Sequence, residues 1–144
     1  MRFWDTSALV PLVVAEPESA RAQRWLREDP AVVVWTLARV EICSALARRR
    51  RAEPQAARKL TTARREVLAA WERWTEVTAV DVVRRHAERL VETHPLRAAD
   101  ALQLAAALVA AEELPGSLTF VTFDRQQAEA AEREGFSVLG PDST

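Results

Sequence analysis

Apolar residues along this chain alternate between two rhythms, short continuous runs and longer stretches with an apolar position every third or fourth residue. The first run, Arg2 to Trp4, ends in Asp5, and Thr6 and Ser7 follow as residue types that cap helix N-termini, so a strand and then a helix are expected. After Pro30, Ala31 to Trp35 is continuously apolar and rich in valine, the pattern of a strand buried on both faces. Thr36 then caps a helix running to about Arg51. Glu53 and Pro54 open a longer helix to about Trp74, with Leu60, Ala63, Val67, Trp71 and Trp74 on one stripe. Val77 to Val80 reads as a third strand, and Asp81 starts a helix with Val82, Val83, Ala87, Leu90 and Val91 on its apolar face, stopped by Pro95. Ala98 to Glu113 is apolar on nearly every side and predicts a central helix closed by the Pro115–Gly116 turn. Leu118 to Phe123 gives a fourth strand ending in Asp124, a helix follows to Glu134 with Gly135 as its stop, and Phe136 to Leu139 gives a fifth strand. Strand and helix alternate throughout, so the expected class is α/β, with a central parallel sheet of about five strands flanked by helices.

Composition narrows what such a fold does. The 144 residues, 49% of them hydrophobic, suffice for one compact unit spanning 1–144 that needs no metal or disulfide to fold. Only three glycines occur, and none lies in a GxGxxG or GxxxxGK[ST] pattern, which removes the glycine-cradled nucleotide sites. A single cysteine, Cys43, excludes an internal disulfide or CxxC pair, and it falls among helix-core positions, as expected of an inert buried thiol. His86 and His94 match no zinc spacing, and His86, beside Arg84 and Arg85, reads as solvent-facing. No apolar stretch is long enough for a bilayer and the N-terminus is not a signal peptide, so no membrane is expected and the cytoplasm is the expected compartment. Twenty basic residues, 19 of them Arg, are balanced by 21 acids, and a net charge of −1 argues against nonspecific coating of nucleic acid.

Four of the acids stand where solvation does not explain them. Asp5 and Asp124 each end an apolar strand just before a helix, and ligands of open parallel sheets bind beyond the carboxyl ends of strands. Glu41 projects from a face made of Leu37, Ala38, Ser44 and Ala45, and Asp100 lies in the first turn of the central helix with Gln103 as its only polar neighbour. Taken singly, Asp5 and Asp124 also suit helix caps, Asp100 suits an anion answering the helix dipole, and Glu41 suits a pair with Arg48. If the four converge, each pair at ~5 Å repels by roughly 3 kcal/mol at an effective dielectric of about 20, which calls for protonation or a cation. All the donors are oxygen, which suits Mg²⁺ or Mn²⁺.

The segments FWDTSAL at 3–9, WTLARVEICSALAR at 35–48, LRAADALQLAAAL at 96–108 and FVTFDRQQAEAA at 120–131 resemble the four acidic motifs of PIN-domain nucleases. In particular they resemble the VapC-type toxin ribonucleases of VapBC toxin–antitoxin pairs, over essentially the whole chain. The resemblance places metal-binding and catalytic acids on Asp5, Glu41, Asp100 and Asp124 and a catalytic hydroxyl on Thr122, with Thr6 or Ser7 helping to order the site. Where relatives often carry a histidine three residues after the third acid, this chain has Gln103, which leaves it a contact to metal-bound water or substrate. The implied activity is Mg²⁺-dependent endoribonuclease cleavage, with Mn²⁺ as substitute, by water activated on one or two metal ions, leaving a 5′-phosphate and a 3′-hydroxyl. The implied partners are RNA, a cognate VapB-like antitoxin and a second copy of the chain in a homodimer. A catalytically silent PIN-like interaction module and a housekeeping RNA-processing nuclease are the alternative functions.

Arg97, three residues before Asp100, is a candidate for a substrate phosphate. Arg48 to Arg51, with Arg58, Lys59, Arg64 and Arg65, form the densest basic region, read either as a phosphate surface or as a solvated helix end answering the dipole. Trp4 reads as core rather than as a base-stacking residue.

Overall fold

The computed structural model describes residues 1–144. The chain runs β1 (Arg2–Trp4), α1 (Thr6–Leu9), α2 (Ser19–Glu28), β2 (Val32–Trp35), α3 (Ala38–Ala52) and α4 (Ala57–Trp71). It continues through β3 (Thr75–Val77), α5 (Val80–Thr93), α6 (Ala98–Ala110), β4 (Thr119–Val121), α7 (Arg125–Arg133) and β5 (Ser137–Leu139). The five strands form one sheet in the order β3-β2-β1-β4-β5, and all four pairings are parallel. The chain fills one side of β1 with β2 and β3, then returns to fill the other with β4 and β5. The order therefore reverses between β1 and β4, and a crevice opens there beyond the carboxyl ends of the strands.

Burial follows the expected pattern at the sheet centre. All four residues of β2 are buried, as are Phe3 and Trp4 of β1 and Phe120 and Val121 of β4. Trp4, Trp25, Trp35 and Trp71 are the largest fully buried side chains, and Phe3 stacks on Phe120 with ring centroids 5.4 Å apart. Helix α6 is the central helix the sequence predicts: Ala101 and every residue from Gln103 to Leu108 are buried, and it packs against α5, α7, β2 and β3. No helix is long and apolar enough to cross a membrane.

Several expectations need correction. Helix α2 has no counterpart in the pattern traced along the sequence, although Ala22, Trp25 and Leu26 give it an inner face. Asp5 caps α1, accepting from the Ala8 N–H, so Thr6 and Ser7 lie within the helix and keep their hydroxyls free for other partners. Thr36 does not cap α3, whose N-cap position falls on Leu37 with no side-chain bond. Pro54 opens a separate 3₁₀ turn before α4, and α4 ends at Trp71, with Trp74 folded back against it at 5.6 Å. The third strand begins two residues earlier than expected and ends three residues earlier, at Val77, and Val80 already belongs to α5. Being an edge strand, it needs one buried residue, Val77, and a side-chain tie, Trp71 Nε1 to Glu76 at 2.6 Å. The chain leaves α6 at Ala110 through Glu112 and Glu113, both left-handed at φ 51° and 64°, which ends the helix before the apolar pattern does. Val91 is exposed, Cys43 is only half-buried, and His86 is half-buried with its Nε2 2.8 Å from Glu113 instead of facing solvent alone.

Candidate functional site

Parallel register delivers acids to the switch-point crevice from adjacent strands. Trp4 pairs with Val121, so Asp5 leaves β1 and Asp124 leaves β4 at nearly the same level, and each caps the helix that follows. Asp124 accepts from the Gln127 backbone N–H at 2.8 Å, and Asp5 is itself buried. Capping and gathering at one edge are thus the same geometry, and the two readings of these aspartates do not compete.

Hydroxyl groups fix the Asp5 carboxylate on both sides. Ser7 donates to Oδ1 at 2.7 Å and Thr122, fully buried, donates to Oδ2 at 2.8 Å. Each hydroxyl is fixed in turn by a backbone N–H, Phe123 N to Ser7 at 2.8 Å and Asp124 N to Thr122 at 3.0 Å, and the two hydroxyl oxygens lie 3.1 Å apart. A single short bond network therefore sets Asp5, β4 and the backbone of Asp124 in register. Even so, burial raises the Asp5 pKa to about 7, against the bonds from Ser7, Thr122 and Ala8, and with a smaller push from Asp124.

A second network holds the other flank. Thr6 donates to Glu41 Oε2 at 3.0 Å, and the Gln103 amide donates to Thr6 at 2.8 Å and reaches Glu41 at 3.5 Å. Helices α1, α3 and α6 are thereby tied at one point, and Glu41 is bonded to these neutral groups rather than to Arg48. Burial raises the Glu41 pKa against the two bonds, and Asp100 raises it further. Asp100 is raised by burial and by Asp124, with exposed Arg97, at the N-cap of α6, pulling the other way.

All nine expected site residues therefore lie along this edge: Asp5, Thr6, Ser7, Glu41, Arg97, Asp100, Gln103, Thr122 and Asp124. The sequence reading missed Gln127, which is fully buried and donates to the Asp100 carbonyl at 3.0 Å, fastening the first turn of α6 to α7. Its signal was present: Asp124 and Gln127 have the spacing of a capping box, with the amide turned across to the neighbouring helix.

The four acids push on one another's charge, and none of the chain's ion pairs includes them. No three His, Cys, Asp or Glu side chains are drawn together tightly enough to make a finished metal cage. What is present is an open set of oxygen donors with unbalanced negative charge, and such a set fits a hard divalent cation that keeps several waters. Thiolate- or imidazole-rich metals find no ligands here.

The PIN domain family matches residues 2–133. Two ribonucleases of Mycobacterium tuberculosis, VapC45 of strain CDC 1551 / Oshkosh and VapC49 of strain ATCC 25618 / H37Rv, are each 32% identical over 136 residues, 94% of this chain and 92% of the relative. The crystal structure of M. tuberculosis VapC20, described as a sarcin-ricin loop cleaving toxin, superposes with a TM-score of 0.62 at 21% identity, covering 94% of this chain and 96% of that one. At that identity the superposition speaks for the fold.

Proposed function

The chain belongs to the PIN-domain family, in its VapC-type branch, and on that premise we propose that it is a metal-dependent endoribonuclease acting as the toxin of a toxin–antitoxin pair. The observation that carries the reading is the meeting of Asp5, Glu41, Asp100 and Asp124, from four separate elements, with three of the four raised in pKa mainly by burial. These four would hold the cation, Mg²⁺ with Mn²⁺ as substitute. When bound, the cation supplies a Lewis acid that makes water nucleophilic at neutral pH and offsets charge on the scissile phosphate.

The remaining residues position the acids. Ser7 and Thr122 orient both oxygens of Asp5, while Thr6 and Gln103 orient Glu41. Gln127 fixes the helix turn that presents Asp100. Holding these groups in place beforehand is worth what oriented supporting bonds are worth in metal sites generally, about 10- to 100-fold each in affinity or activity. The reading takes water as the attacking group, as a divalent cation among these acids would favour, so that the products carry a 5′-phosphate and a 3′-hydroxyl. Arg97, on the rim beside Asp100, takes a substrate phosphate. A VapB-like antitoxin and a second copy of the chain complete the assembly.

The test compares cleavage of total RNA by the folded wild type, Asp5→Asn and Asp100→Asn with Mg²⁺, Mn²⁺ or EDTA. Discrete cuts by the wild type alone, abolished by EDTA, are expected. Equal cutting by the variants would remove these acids from the reaction. Metal binding without any cutting would favour a silent PIN-like module.

A further inference from the structure

Basic side chains in this chain differ in whether a carboxylate answers them. Arg89 bonds Glu134, Arg125 bonds Asp142 and Arg49 forms an ion pair with Glu16, whereas Arg48 is exposed and has no ion-pair partner. Arg48 also lines a cavity shared with the acid-bearing edge, together with Thr6 and Glu41. Glu41, Ser44, Ala45 and Arg48 are spaced three, four and seven apart and form one stripe along α3. That stripe makes one wall of an open cavity of about 390 Å³, completed by Thr6 and Val40. The cavity begins at Thr6 and Glu41, where the acids gather, and ends at Arg48. Seven helical steps put the Cα of Arg48 roughly 10 Å from that of Glu41, room for about one nucleotide of an extended strand.

The lining fits a nucleotide better than a peptide side chain. Ser44 and Ala45 are small and leave the floor open, the exposed Ser44 hydroxyl can donate beside the guanidinium, and Val40, 65% exposed, offers an apolar face. One end of the cavity is negative and needs a cation before it accepts an anion, while the other is positive without help. A phosphodiester chain whose reacting phosphate lies at the acids must leave along some path, and this one carries a free cation at the next phosphate.

We infer that the cavity is an RNA subsite adjoining the reaction centre, with Arg48 and Ser44 binding the backbone phosphate next to the scissile one and Val40 flanking the intervening sugar or base. This rests on the nuclease reading and adds a residue to it. Arg48 makes a phosphate contact and carries no base specificity.

The test uses fluorescence anisotropy with a labelled, short random-sequence RNA, over a salt series in EDTA, in an Asp5→Asn background that leaves the strand uncut. Losing one phosphate contact lowers the salt slope of log K against log [salt] by about 0.7 for a single strand, and weakens binding about four-fold at 0.15 M salt. Arg48→Ala should show both changes, Arg48→Lys should keep the parental slope, and Arg133→Ala, which removes an exposed charge at the far end of α7, should also keep it. Arg48 is exposed and unpaired, so these variants should match the parent in thermal unfolding, which is measured alongside. An unchanged slope in Arg48→Ala, or an equal loss in Arg133→Ala, would overturn the subsite and leave the nuclease reading standing if the wild type cuts RNA. An unchanged slope together with loss of binding to an acidic peptide would assign the cavity to a protein partner instead. If the parent binds no RNA and the wild type cuts none, both readings fall.

Discussion

Replacing Asp5 by asparagine should make the metal-free protein more stable at pH 8 while destroying its activity. Asp5 is buried, and its pKa in the fold stands at about 7 against an ordinary value of 3.8. An acid with a raised folded pKa contributes full stability below its unfolded pKa and loses it as pH rises through the folded value. The penalty therefore grows between about pH 4 and pH 7 and reaches about 4 kcal/mol, three units at 1.36 kcal/mol each. Asparagine keeps the shape and removes the charge. Its oxygen can accept from Ser7 and the Ala8 N–H, and its amide can donate to Thr122, whose proton then turns to Ser7, 3.1 Å away. That rearrangement leaves one amide N–H without a partner, a smaller cost than the buried charge it replaces, so the net relief stays favourable. The assay is thermal or urea unfolding of wild type and Asp5→Asn in EDTA from pH 4 to pH 8. The two should converge near pH 4, and the variant should lead at pH 8 by up to about 4 kcal/mol, or roughly 10 °C in Tm for a chain of this size. Saturating Mg²⁺ at pH 8 should stabilise the wild type and narrow the gap, by the mass-action law for a ligand that binds only the fold. A gap that does not change with pH, or a variant less stable than wild type at pH 8, would refute the account of Asp5 as a buried charge awaiting a counter-ion.

Other consequences are equally open to measurement. Thr122→Val removes the donor to Asp5 Oδ2 and the acceptor for the Asp124 N–H; activity should fall about 10- to 100-fold, with the Mg²⁺ concentration for half-activity rising. Trp4→Ala empties the centre of the core under the site and should cost roughly 3–5 kcal/mol in urea unfolding. Gly135→Ala forces a side chain into a position at φ +99° with Pro115 Cγ 3.3 Å from the new Cβ, a loss of about 1–2 kcal/mol by the same assay.

Much of this protein was legible from sequence. The buried strands β1, β2 and β4 are valine- and aromatic-rich runs that only a two-sided burial suits, and α6 is apolar on nearly every side because most of its length, Ala101 and Gln103 to Leu108, is buried. The alternation of these elements fixes a parallel α/β sheet, and the acids stand out because each interrupts an apolar pattern. Helix α2 was missed because its inner face consists of only three apolar residues among charged ones. The end of α6 was missed because two glutamates take left-handed backbone that composition does not announce.

Partnership is what tertiary structure alone decided. Asp5 and Asp124 are far apart in the chain and become neighbours because β1 pairs with β4 and the strand order reverses between them. Glu41 suits an ion pair with Arg48 on its own helix, yet the fold gives it Thr6 and Gln103 from two other helices and leaves Arg48 unpaired. Gln127 looks like a local cap and instead spans to the Asp100 carbonyl. Local pattern is set by whether a position faces water or core, which the sequence carries in its residue types. Which polar groups satisfy one another across the crevice depends on distances of about 3 Å between elements remote in sequence, and only packing sets those.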